Sequence, residues 1–108
     1  MKPGKAEPGM NREIQELQQK YGIAIKRVTD VNTRAKAAVE AMRAMEKFLG
    51  EWNPMGRRLM DLQEIIGPGI KIKEDVWLYK FDTGCGGWSW KFTCRDGVIV
   101  GMEKISLD

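Results

Sequence analysis

The chain has 108 residues, a formal charge of +3, no histidine and two cysteines. That length predicts one domain with one core that needs neither metal nor disulfide to fold. The missing histidine removes Ser-His and Cys-His nucleophile pairs, histidine general bases and histidine zinc ligands together.

The charge excess lies in residues 1–54, with ten Lys/Arg against seven acids, while residues 55–108 carry eight of each. This bias is too mild to argue for nucleic acid. Residues 1–9 mix Pro3, Gly4, Pro8 and Gly9 with charges and read as a disordered tail, with a single domain over 10–108. The N-terminus holds no apolar h-region, and no apolar run is long enough to span a bilayer. The chain as given reads as cytoplasmic, or as periplasmic or envelope-associated if a leader has been trimmed.

From Asn11 as N-cap, Ile14, Leu17 and Tyr21 recur at helical spacing until Gly22, which is expected to stop the helix. Residues 23–28 alternate in polarity and are a candidate edge strand or an extended link. A longer helix capped by Asp30 or Asn32 is expected to end before Gly50, with Ala35, Ala38, Val39, Met42, Met45 and Leu49 as its apolar stripe. Asn53-Pro54 is expected to open a third helix, proline in its first turn, with Leu59, Leu62, Ile65 and Ile66 inward and Gly67-Pro68-Gly69 as its stop. Trp52, in the link, reads as a staple between the last two helices.

Ile70-Lys71-Ile72-Lys73 alternates and either extends the following strand or precedes it as a loop. From Val76 to Asp82, Trp77, Tyr79 and Phe81 share one face at period two; from Trp88 to Arg95, Trp88, Trp90, Phe92 and Cys94 do the same. A four-residue loop Gly84-Cys85-Gly86-Gly87 pairs Phe81 with Trp90 and Tyr79 with Phe92, leaving Cys94 opposite Trp77. A three-residue loop Arg95-Asp96-Gly97 pairs Cys94 with Val98 and Trp90 with Met102, which keeps charge off the apolar face. Both cysteines are expected as free thiols. Helices first and a three-stranded antiparallel meander afterwards predict a two-layer α+β domain, with 23–28 as a candidate fourth edge strand.

Gly56, Leu62, Ile66, Gly67 and Pro68, followed by Trp77-Leu78-Tyr79, Trp90-Lys91-Phe92 and Asp96-Gly97-Val98, resemble the SmpA/OmlA (BamE-like) domain over residues 56–108, and more loosely the β-lactamase-inhibitor-like fold. Arg57-Arg58 stand where that family has Met-Thr. The resemblance implies a helix-plus-meander scaffold that works by binding other proteins, without catalysis or cofactor.

The residues themselves offer several surfaces. Arg57 and Arg58, with Lys71 and Lys73, are a candidate basic patch. Trp88, at a strand start, is the aromatic expected to be most exposed, beside Lys91 and Arg95. These five residues, Trp88, Arg57, Arg58, Lys91 and Arg95, form the candidate partner-binding set, and exposed strand edges make a homodimer a further expectation. The carboxylate pairs Asp61/Glu64 and Glu74/Asp75 are expected on the surface, without the apolar surroundings that raise a pKa. The leading reading is a non-enzymatic protein-interaction or scaffold domain. The alternatives are a nucleic-acid-binding module using the basic N-terminal half and aromatic strands, and a small-molecule-binding domain with a pocket between helices and sheet.

Overall fold

The computed structural model describes residues 8–30, 35–83 and 86–107. In chain order these give α1 (Pro8–Leu17), α2 (Ile23–Asp30), α3 (Ala35–Glu51) and α4 (Leu59–Ile66), then β1 (Ile70–Lys73), β2 (Val76–Asp82), β3 (Gly87–Arg95) and β4 (Val98–Ser106). The strands make one antiparallel meander in the order β1-β2-β3-β4, and α2 and α3 pack against β2. This is an α+β fold in two layers. The fourth strand, however, is Ile70–Lys73, and the candidate edge strand at 23–28 is helix.

Gly22 does not stop the first helix. A π-helical turn over Gln18–Gly22 carries α1 directly into α2, with Ile23 in helical conformation. The wider turn leaves Ile14, Leu17, Tyr21 and Ile25 all buried. Glycine is required here for close approach, since a Cβ on Gly22 would lie 2.1 Å from the Ile65 carbonyl oxygen of α4. The first helix begins at Pro8, inside the segment read as a tail. Of the two caps expected for the long helix, Asn32 lies outside the described residues and Asp30 is the last residue of α2.

Along α3 the buried positions are Ala38, Ala41, Met45 and Phe48, followed by Trp52. The stripe is therefore rotated from the expected one, with Met42 and Leu49 only partly buried at its flanks. Phe48 takes the centre, stacked on Trp52 at 5.3 Å between ring centroids. Trp52, which follows α3, is buried in the same cluster, although its indole N–H finds no acceptor among the described residues.

Asn53-Pro54 opens no helix. The Gly56 N–H donates to the Ile99 carbonyl, the Ile99 N–H to the Arg57 carbonyl and the Leu59 N–H to the Gly97 carbonyl, each at 2.8 Å. This segment lies beside the start of β4, so α4 begins at Leu59 after an extended Arg58. Leu59, Leu62, Ile65 and Ile66 are buried as expected, and Gly67 ends the helix at φ 100°.

In the first hairpin Phe81 faces Trp88, Tyr79 faces Trp90 and Trp77 faces Phe92, two residues from the expected register. A slip of two keeps every side chain on its face. The aromatic face therefore survives, with Tyr79 edge-on to Phe92 at 5.7 Å and Phe81 edge-on to Trp90 at 5.5 Å.

The second hairpin differs more. Asp96 and Gly97 form a two-residue turn with φ 54° and 79°, the mirror-image geometry that suits a twisted hairpin. Cys94 then faces Ile99, and a bulge at Val100 restores the face so that Phe92 opposes Met102 and Trp90 opposes Lys104. The charge that the three-residue loop was expected to avoid is thus present as Lys104. Cys94 is free and buried, and its N–H donates to the Asp75 carbonyl at 2.8 Å, so it does not oppose Trp77. Cys85 lies outside the described residues.

The Tyr79 hydroxyl donates to the carbonyl of Gly67 in the buried interior. Tyr79→Phe is expected to cost about 1–2 kcal/mol, because it strips a buried carbonyl of its donor. Burial holds the Tyr79 phenol well above its ordinary value of 10.0. Its folded pKa is raised, so its contribution is complete below about pH 10 and is lost as pH rises further. Urea titrations across alkaline pH should show a shallower loss of stability in Tyr79→Phe than in the parent, with Tyr21 and Lys20, also raised, supplying the remainder. An unchanged alkaline slope would contradict this assignment.

Candidate functional site

Alternation along the strands sets two faces. Tyr79, Phe81, Trp90, Phe92 and Cys94 point to the helices and are buried. The opposite face carries Val76, Leu78, Lys80, Asp82, Ser89, Lys91, Thr93, Arg95, Val98, Glu103 and Ile105, among which Lys80, Asp82, Arg95 and Glu103 are exposed, Val76 and Ser89 buried and the rest half-buried. Ile70, opposite Leu78 on β1, extends the apolar part of this face and is exposed. Lys91 and Glu103 are cross-strand partners joined at 3.1 Å.

The structure divides the candidate set between these two sides. Lys91 and Arg95 stand on the outer face. Arg58 is aligned with Val98, which also opposes Arg95, so Arg58 and Arg95 flank one valine. The Arg58 guanidinium donates through two nitrogens to Asp61, at 2.9 and 3.3 Å. Arg57 turns the other way, 4.9 Å over the Trp52 ring and 3.6 Å from Glu13. Trp88 also belongs to the inner side; it is half-buried, packed against the core and covered by Lys104 at 4.3 Å.

The expected basic patch does not form as a unit. Arg58 lies beyond β4 while Lys71 and Lys73 lie on β1, so the whole sheet separates them. Lys71 sits instead 5.5 Å from the Trp77 ring and 3.7 Å from Glu74. Asp61 was expected on the surface and is buried, in the first turn of α4. There its charge suits the helix N-terminus as well as Arg58. Glu64, Glu74 and Asp75 are exposed.

Two clusters were missed in the sequence. In one, Glu51 at the end of α3 accepts from the Tyr21 hydroxyl and from Lys20 at 2.9 Å. These bonds hold Glu51 below its ordinary carboxylate value and Tyr21 above its phenol value, so Tyr21 stays neutral and protonated. The Glu51 contribution is present above the ordinary carboxylate range and lost as pH falls through the lowered value. In the other, Lys104 of β4 reaches Glu46 of α3 at 2.8 Å. Both join positions far apart in sequence, and only the i,i+4 pairs of a single helix show in a periodicity.

Among the described residues no group of three or more Cys, Asp and Glu is arranged to hold a metal ion. Burial pushes the Cys94 thiol up, which makes it a poor nucleophile. No helix among the described residues is long and apolar enough to cross a membrane.

No protein-family model, curated protein or solved structure matches the chain.

Proposed function

We propose that this chain is a non-enzymatic interaction domain that docks an acidic segment of a protein partner on the outer face of its sheet. The observation that carries this reading is the composition of that face: Leu78, Ile105 and Ile70 lie beside the exposed cations Lys80 and Arg95, while Lys91 is paired with Glu103 and Asp82 adds a second acid at the strand end. Apolar contact there supplies affinity, and the cations select for carboxylates and steer encounter.

Both sheet edges are blunted, which favours the face over them. β1 has four residues, two lysines and a bulge; β4 has a bulge, Lys104 and a first stretch already bonded to the Gly56 to Leu59 segment. Such features oppose strand addition, and they weigh equally against a homodimer through the edges. The residues resembling the SmpA/OmlA domain support the same reading, since they form a helix stop and an aromatic hairpin, devices of architecture rather than chemistry.

The test uses a fluorescent Glu/Asp-rich peptide, with single-stranded oligothymidine as comparison. Lys80→Glu with Arg95→Glu should weaken peptide binding at least about tenfold. Arg43→Glu with Lys47→Glu on exposed α3 positions changes net charge equally and should leave it nearly unchanged. Equal effects from both pairs would exclude the outer face as the docking site. Tighter binding of the oligonucleotide, falling steeply with salt, would favour the nucleic-acid reading.

A further inference from the structure

On the inner side of the sheet one ammonium is held by two indoles and a carboxylate. Trp88 and Trp90 share a face of β3 two residues apart, and Lys104 on β4 lies opposite Trp90. The Lys104 Nζ sits 4.3 Å from the Trp88 ring centroid, 5.4 Å from that of Trp90 and 2.8 Å from the Glu46 carboxylate of α3. Trp90 is 3 % exposed beneath it, whereas the Lys104 and Glu46 side chains are 38 % and 50 % exposed. We propose that this is a cation cage whose resident is the chain's own lysine and whose external ligand is a methylated ammonium group.

The chemistry follows from what surrounds the ammonium. Tryptophan faces are the strongest aromatic partners for a cation, and a nearby carboxylate adds charge without demanding hydrogen bonds from the ligand. A primary ammonium is strongly hydrated and gives up water reluctantly. A methylated one loses less on entering, so it suits the indole walls better than the lysine does. The resident is also weakly held, because an ion pair this exposed contributes little. A lysine side chain on its flexible four-carbon stem can swing into solvent without moving β4, leaving both indole faces and Glu46 in place.

Tetramethylammonium titrated against the parent chain and against Lys104→Ala, read by tryptophan fluorescence with sodium as the ionic-strength control, tests the cage. Saturable binding is expected in both, about tenfold tighter in Lys104→Ala, where the ion pair and the cation–π contact no longer compete. Adding Glu46→Gln or Trp88→Ala to Lys104→Ala should reverse that gain. Glu46 is an exposed side chain, so its variant decides the question if the tryptophan variant fails to fold. Choline and Nε-trimethyl-lysine, run in parallel, show whether a free small molecule or a modified side chain is the better source of the group. A response to tetramethylammonium no larger than that to sodium, no gain on removing Lys104, or a gain that Glu46→Gln leaves intact would each overturn the proposal.

Discussion

Phe48→Ala is expected to cost about 3–5 kcal/mol. The ring is fully buried, stacked on Trp52 and tilted against Tyr21, at the centre of the α3 stripe. Its removal leaves a cavity bounded by large aromatic groups that cannot easily collapse into it. A domain this size has a total stability of roughly 5–15 kcal/mol, so this one change consumes a large part of it. Urea denaturation compares it with Leu49→Ala, one position along the helix and half-buried. That variant should cost about 1–2 kcal/mol, in proportion to its smaller loss of buried area. A larger loss at Leu49 than at Phe48 would mean that α3 is rotated from the orientation described.

Gly22→Ala is expected to destabilise by about 2–3 kcal/mol, although alanine is the better helix former by ~1 kcal/mol. The added methyl would meet the Ile65 carbonyl oxygen at 2.1 Å, and that oxygen belongs to a helix backbone that cannot swing aside. Either α4 moves off the π-helical turn or the turn itself shifts, and both loosen the packing around Tyr21 and Ile65. Gly50→Ala in α3 is the control, since a Cβ there meets nothing within 4 Å. It should be neutral or stabilising by up to about 1 kcal/mol. If the two glycines respond alike in thermal melts, the close crossing of α4 over the first helix is not present in solution.

The strands were legible because period-two alternation of large aromatics has one physical meaning. The face held even where the register did not, since an error of two residues leaves every side chain on its own side. What periodicity could not show was the second turn. Asp96 and Gly97 both adopt positive φ, and the cost of placing Lys104 on the aromatic face is met by Glu46, fifty-eight residues away. A three-residue loop that keeps charge off that face takes no account of a partner on another element. Gly22 misled for a related reason: a glycine at a helix position signals either a stop or a close approach, and only the position of α4 distinguishes them. Pro54 read as a helix start because its ring is compatible with a first turn. The competing hydrogen bonds from Gly56, Leu59 and Ile99 decided otherwise. Within the candidate site, Lys91 and Arg95 could be assigned to the solvent face by alternation alone. Arg57, in a loop, had no period to place it, and it packs on Trp52.

The sheet has one face packed against helices and the other carrying Leu78 and Ile105 beside exposed Lys80 and Arg95. A methyl-resolved NMR spectrum with a soluble paramagnetic reagent tests this directly. The methyl signals of Ile70, Leu78 and Ile105 should broaden strongly, while those of Ile25, Ile65, Ile66 and Ile99 should remain unaffected. Protection of Leu78 and Ile105 in the free chain, or broadening of Ile99 and Ile65, would contradict the assignment of the two faces.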